Sequence, residues 1–282
     1  MRQTPKGGRT GVRIIVTGGN SGVGRATATA LASSGHDVVI ACRTLSKAHQ
    51  AAASMSGNIE VAELDLADLA SVRKFAESVD YVDVLVNNAG ILGLPLTRTA
   101  DGFEAHMGTN HLGHFALTCL LGDRIRDRIV VVASSNYALA RIHFDDLNWH
   151  RRRYHPWSAY GESKLANMLF VQELARRGRA AYASDPGMTA TDITRDGSGL
   201  LQWAGRALSP RIAQSPADGA RSSIQAVTTG LPSGTYIAPR GPLHQWGKPK
   251  PTKLVAIARD PESARRLWDV SAELTGCNWQ ET

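Results

Sequence analysis

The sequence predicts an α/β fold: one doubly wound parallel sheet with helices on both faces. Three observations predict it. Short β-branched apolar runs alternate with helical stretches through the first half of the 282 residues. Those runs are nearly continuous in apolar character, as befits strands buried on both faces of a parallel sheet. A glycine-rich turn joins the first run directly to the first helix.

Taken in order, strands are expected at 12–17 (VRIIVT), 37–41 (DVVIA), 59–63 (IEVAE), 82–87 (VDVLVN) and 128–133 (RIVVVA). Helices are expected between them near 23–34, 45–56, 68–79 and 102–121. Right-handed crossovers follow from strand chirality. The second half continues with a helix near 157–177, a strand near 180–184 and an irregular segment near 188–212. A helix near 216–229, a short strand near 234–238 and a final helix near 260–275 complete it. The Pro/Gly-rich stretch 239–251 reads as a surface loop. No internal repeat or interdomain linker interrupts the pattern, so residues 1–282 are expected to form a single domain.

Composition narrows the function. At 43% hydrophobic and 20% charged the chain is an ordinary globular protein, not a disordered one. Its net charge of +7 suits a nucleic-acid or membrane-surface binder, or an Arg-rich enzyme with a polyanionic cofactor. The only dense basic run, Arg151 to Arg153 flanked by His150 and His155, has no aromatic-and-glycine pattern around it, so no nucleic-acid partner is expected. Cys42, Cys119 and Cys277 lack metal-ligand spacing and read as thiols in a reducing compartment. His106, His111 and His114 have helical spacing but no acidic or thiol residue completes a ligand set, so no metal is expected. The stretch Met1 to Gly11 is basic and polar without an apolar core, and no run reaches the roughly 18 residues that span a bilayer. The expectation is a cytoplasmic protein with no membrane partner.

After the first strand comes Thr17-Gly18-Gly19-Asn20-Ser21-Gly22-Val23-Gly24, and a helix follows at once. Glycines permit a tight turn and close approach of backbone to a pyrophosphate. The helix N-terminus offers that anion free N–H groups and partial positive charge. The spacing is GxxxGxG, and its place at the first strand–helix junction points to dinucleotide binding.

With this turn, four further motifs occur in order: Asn87-Asn88-Ala89-Gly90, Asn110 in the middle helix, Ser135, and Tyr160 with Lys164. The ordered set resembles the short-chain dehydrogenase/reductase family over nearly the whole chain. Segments 110–115 (NHLGHF) and 163–167 (SKLAN), and the long insertion before Tyr160 containing Phe144-Asp145-Asp146-Leu147, resemble its retinol-dehydrogenase-like branch. Membrane-bound members of that branch carry an N-terminal anchor; this chain is expected to lack one and to be a soluble member. The resemblance implies a Rossmann-like NAD(P)-binding domain that interconverts a carbonyl and an alcohol, and allows a homodimer or homotetramer.

Carbonyl reduction needs a hydride donor, a proton donor and something to hold the carbonyl oxygen. A phenol titrates near pH 10 unless tuned, and a nearby cation lowers that value. Tyr160 and Lys164 are four apart on an expected helix and share a face. Lys164 is expected to tune Tyr160 and, by the resemblance, to hold the nicotinamide ribose. Ser135 follows the fifth strand, at the carboxyl edge where ligands bind in such sheets. Its hydroxyl is expected to orient the substrate oxygen; Ser134 is its rival, and the family alignment favours Ser135. Asn110, an unfavourable residue mid-helix, has the family role of holding a water in a proton relay. Further cofactor contacts implied by the resemblance are Gly18, Asn20, Ser21, Gly22, Val23 and Gly24 in the turn, Asp65 and Leu66 at the adenine, and Asn88, Ala89 and Gly90. Pro186, Gly187, Thr189 and Thr191 are implied on the nicotinamide side. Where the branch often has His before Pro-Gly, this chain has Asp185, to which no role is assigned.

The second strand ends in Cys42 and Arg43, with no acid to accept hydrogen bonds from a free adenosine ribose. Arg43 offers a planar fork suited to a phosphate. Arg25, by resemblance, and more weakly Lys47 lie near the same pocket. The cofactor expected is therefore NADP(H), and the substrate a small carbonyl or alcohol, apolar in part. Leu200, Leu201, Trp203 and Leu208, interspersed with glycines, suggest a substrate lid near 188–212. Alternatives are a same-fold enzyme of epimerisation, dehydration or cyclisation, or a redox-sensing module; the intact Asn110, Ser135, Tyr160 and Lys164 argue against the module.

Overall fold

A computed structural model describes residues 11–189 and 214–279. The lid expected near 188–212 and Thr191 therefore lie almost wholly outside the described residues.

Among the described residues eight strands form one sheet in the order β3-β2-β1-β4-β5-β6-β7-β8. They are β1 (Arg13–Thr17), β2 (Asp37–Cys42), β3 (Asn58–Glu63), β4 (Val82–Asn87), β5 (Ile125–Val132), β6 (Ala181–Ser184), β7 (Tyr236–Pro239) and β8 (Pro249–Thr252). β1 to β7 pair in parallel and β8 is antiparallel to β7. The order reverses between β1 and β4, which opens a crevice at their carboxyl ends. In register, Val16 faces Val86, Asn87 faces Val131 and Val132 faces Ser184. The residues just beyond these strands therefore converge on one edge.

Alternating side chains of each strand enter two cores. Ile14 and Val16 pack with Ala28, Leu31 and Ala226 on one face. Ile15 and Leu85 pack with Phe115, Leu169 and Trp268 on the other. The first face is covered by α1 (Gly22–Ser33), α2 (Leu45–Ala52) and α6 (Pro216–Thr228), the second by α3 (Leu69–Glu77), α4 (Gly113–Leu121) and α5 (Pro156–Arg176). α1 buries Val23, Thr27, Ala28, Leu31 and Ala32, a stripe at helical spacing. α5 begins with Pro156, whose missing N–H costs nothing there, and most of its surface is buried. A last helix, α7 (Pro261–Thr275), lies across α4 and α5. Asp260 caps its start through the N–H groups of Glu262 and Ser263, and Gly276 ends it at φ +62°.

Two expectations need correction. The Pro/Gly-rich stretch 239–251 is not simply a loop: it ends in β8. Pro249 and Pro251 sit on an edge strand, where lost donors leave no ladder unpaired. The helix expected over 102–121 is also not continuous. Its first part is a π-helical turn, Met107–Leu112, and α4 starts only at Gly113.

Candidate active site

The glycine turn bends sharply out of β1, with Gly18 at φ +65° and Gly22 at φ +51°. A Cβ on Gly24 would lie 2.3 Å from Asn88 Nδ2 and 2.5 Å from the Gly18 carbonyl, so only glycine fits. Ser21 precedes α1 without a side-chain cap, leaving the helix N-terminus to a ligand. The N–H groups of Gly19 and Asn20 bond the buried Cys42 thiol, which burial pushes up to about 11.

Thr17 locks this turn to the next strand. Its hydroxyl accepts the N–H groups of Asn88 and Ala89, both at 2.9 Å, and the Asn88 amide donates to the Thr17 carbonyl at 2.8 Å. Thr17 Oγ1 is also 2.8 Å from His114 Nε2, and His114 Nδ1 is 3.0 Å from the Asn110 carbonyl. A carbonyl only accepts, so Nδ1 carries the proton and the Thr17 hydroxyl donates to Nε2. Burial pushes His114 down to about 3, in keeping with a neutral ring.

Asn110 is fully buried within the π turn. Its Oδ1 accepts the Ile91 N–H at 2.8 Å, and its Nδ2 donates to the Ile91 carbonyl and to Ser163 Oγ at 2.9 Å. Ser163 in turn donates to the Tyr160 carbonyl at 2.7 Å. The π turn, a frequent mark of functional sites, thus clips the segment after Gly90 to the helix that carries Tyr160 and Lys164.

Tyr160 and Lys164 do share one face of α5, with Lys164 Nζ 5.6 Å from the Tyr160 ring centre. Lys164 is 3% exposed and donates to the Val132 carbonyl at 3.0 Å. Burial pushes its ammonium down to about 8, and the negative Asp185 opposes that. Burial also pushes the Tyr160 phenol up; a hydrogen bond with the Ser134 side chain pulls it back and Asp185 adds to the rise. In the protein alone, desolvation sets the direction for Tyr160.

The two serines divide their contacts. Ser134, the rival, bonds the Tyr160 phenol, while Ser135 Oγ accepts the Gln245 amide at 3.2 Å. Pro186 and Gly187 follow β6, and Thr189 bridges to Gln214. One cleft of about 180 Å³ is lined by Gly18, Ser21, Gly22, Val23 and Gly24, by Asn88, Ala89 and Gly90, and by Tyr160, Lys164 and Pro186. Arg43 and Asp65 line a second hollow of about 600 Å³ with Glu63, Ser71 and Lys74. The Arg43 guanidinium is exposed and has no hydrogen bond or ion pair among the described residues. Arg25 instead donates to Ser54 Oγ at 2.7 Å, and Leu66 turns its side chain into the core. The glycine cradle, open helix terminus and free guanidinium fit a dinucleotide.

Sequence reasoning missed three features near this cleft. Glu104, fully buried, accepts His106 Nδ1 at 2.8 Å and the Tyr154 hydroxyl at 2.9 Å, and His106 stacks edge-on to Tyr160. The acid two residues before His106 was the available signal. His114 lies in the 110–115 motif, but nothing there pointed to Thr17, and Gln245 carried no motif. Among the described residues no His, Cys, Asp and Glu group could hold a metal.

The short chain dehydrogenase sequence profile matches residues 13–198. The chain belongs to the short-chain dehydrogenase family. Human retinol dehydrogenase 12 is 39% identical over 288 residues, covering 95% of this chain and 87% of that protein. Human retinol dehydrogenase 11 is 40% identical, covering 93% and 85%. An uncharacterised protein from Mycobacterium paratuberculosis matches in structure with a TM-score of 0.84 and 41% identity, over 96% of this chain and 95% of that one. A short chain dehydrogenase from Burkholderia cenocepacia in complex with NADP matches at 0.61 and 26%, over 81% and 96%. This member of the family is an oxidoreductase of nicotinamide-binding fold, on the retinol-dehydrogenase-like branch. Among its described residues no helix is long and apolar enough to cross a membrane.

Proposed function

We propose that the chain interconverts a carbonyl and an alcohol with NADP(H), using Tyr160 as general acid and base. The observation that carries this is the shared cleft: Tyr160 and Lys164 line the same space as the glycine cradle. A nicotinamide dinucleotide, when bound, supplies or takes the hydride. Tyr160 passes a proton to or from the substrate oxygen, with Ser134 or Ser135 holding that oxygen. Lys164, buried yet close to neutral-range titration, steadies the phenolate, and Asn110 fixes the backbone beside both. NADP(H) is supported by Arg43 at an acid-free strand end and by the relative solved with NADP. Cofactor contacts of Asp65, Pro186, Gly187 and Thr189 belong to the same reading. Exposed Leu139, Trp157, Met188, Leu243 and Trp246 border the segments around Ser135, which supports a substrate apolar in part. The shared sheet supports a single domain.

Tyr160→Phe keeps the ring and removes the proton donor. Turnover is expected to fall by about 10²–10⁴, the usual worth of positioned acid–base catalysis, while cofactor affinity survives. Steady-state rates beside a cofactor titration check this; near-normal turnover overturns the mechanism.

A further inference from the structure

Asp185 has no part in the chemistry above, yet its surroundings are built around it. It follows β6 directly and is 1% exposed. Burial pushes its carboxyl up and is costly unless donors meet it and oppose that rise. Three do, from three segments. The Gly187 N–H donates to Oδ1 at 2.7 Å, the Tyr236 hydroxyl on β7 donates to Oδ2 at 2.6 Å, and the Ser135 N–H after β5 donates as well. Tyr236 is held edge-on by the rings of Tyr137 and His244.

The same turn is closed from the other side. The Met188 N–H donates to the Gln245 carbonyl at 2.9 Å. A Cβ on Gly187, at φ +67°, would meet that carbonyl at 2.5 Å. The Gln245 amide reaches back to Ser135 Oγ at 3.2 Å. The Asp185 carboxylate therefore sits where the serine pair, the Pro186–Gly187 turn and β7 meet.

Lys164 lies beside Asp185: the Lys164 Nζ donates to the Val132 carbonyl at 3.0 Å, and Val132 pairs with Ser184, the residue before Asp185. Among the described residues, the titratable groups around Asp185 are Tyr137, Tyr236 and His244 on its own side, and Tyr160 and Lys164 on α5. Lys164 is the only ammonium among them. Desolvation works to strip its proton, and the carboxylate works to keep it.

We propose that Asp185 is a positioning residue of this oxidoreductase: its carboxylate pins Ser135 and the Pro186–Gly187 turn together and supplies the buried negative charge that Lys164 faces. This rests on the reading of Tyr160 and Lys164 as catalytic. Asp185→Asn keeps the shape and removes the charge. Two consequences follow for Lys164 and Tyr160. Both lose a nearby anion, so both release their protons at lower pH.

The test is a carbon-13 NMR titration of lysine-labelled full-length protein, with the Lys164 signal assigned by its absence in Lys164→Arg. The midpoint is expected near pH 8 in the parent protein and lower by at least about half a unit in Asp185→Asn. Tyr236→Phe, which keeps the carboxylate, should move it less. The high-pH limb of kcat/KM in the reducing direction should move down with it. Asp185→Ser, smaller and neutral, replaces the Asn variant if that does not fold. An unmoved Lys164 midpoint overturns the proposal, whatever happens to stability. A moved midpoint together with normal turnover in Tyr160→Phe upholds the charge pairing and overturns only the catalytic reading.

Discussion

Thr17→Val removes one oxygen from the centre of the site and almost nothing else. Thr17 is fully buried, and Val fills the same space. The hydroxyl serves four partners: it accepts the Asn88 and Ala89 N–H groups, and its own proton faces His114 Nε2 and, more distantly at 3.4 Å, the Val86 carbonyl. His114 cannot adapt by moving its proton, because Nδ1 must keep it for the Asn110 carbonyl. Its Nε2 is then a fully buried acceptor without a donor, at a cost of about 1–3 kcal/mol. The two N–H groups lie at a half-buried edge that water reaches, and together add about 1 kcal/mol. The sum, about 2–4 kcal/mol, corresponds to a fall in Tm of about 3–7 °C for a chain of this size. Thr17→Ser keeps the hydroxyl and loses one methyl, about 0.8 kcal/mol. Denaturant melts of the two variants give the difference directly. If Thr17→Val matches Thr17→Ser within about 0.5 kcal/mol, the hydroxyl is not the link between turn and π helix that the distances describe.

Arg43→Ala should weaken NADP(H) by about ten- to a hundredfold, the worth of a charge-assisted contact of about 1.5–3 kcal/mol, and NAD(H) far less; equal losses in paired titrations would mean that Arg43 does not read the phosphate. Asp146 accepts the His150 and Arg151 N–H groups and the Arg152 side chain. Burial pushes its carboxyl up, but these donors outweigh it and hold it below the ordinary range. A depressed folded value contributes stability above the unfolded pKa of about 4. That stability is lost as pH falls through the folded value, so the destabilisation of Asp146→Asn, clear at pH 7, should fade below about pH 4 in urea melts. A constant difference would show that the charge is not responsible.

Strands and glycine turn were legible because their signals are local. β1, β2, β4 and β6 are apolar runs buried on both faces, while β3 is a partly exposed edge strand read from its β-branched residues and its place in the alternation, and Gly24 has a neighbour that forbids a Cβ. What escaped depends on contacts distant in sequence. β8 carries two prolines that argue against a strand until its edge position is known. The π turn at Asn110 is invisible to helical periodicity, since its apolar residues look like any buried helix. The choice between Ser134 and Ser135 turns on which hydroxyl Tyr160 reaches and on Gln245, 110 residues further on. Lys164 reads from sequence as a cation that lowers Tyr160, but the sign for Tyr160 is decided by how dry the site is. Asp185 gives no sequence signal beyond its place before Pro-Gly.

The helix α7 closes the face formed by α4 and α5. Trp268 packs edge-on to Phe115 with ring centres 5.0 Å apart and against Phe170 at 5.9 Å, while Ser271 bonds His111 at 2.9 Å. Lys164 and Pro261 stand 97 residues apart in the chain. At a synthesis rate of about 5–20 residues per second, roughly 5–20 s pass between making the two. Through that interval α5 has been made and α7 has not, so Phe115 and Phe170 lack their partner Trp268. The aromatic core between α4 and α5 is therefore completed only once Trp268 has been made, long after the strands of the central sheet that it helps to cover.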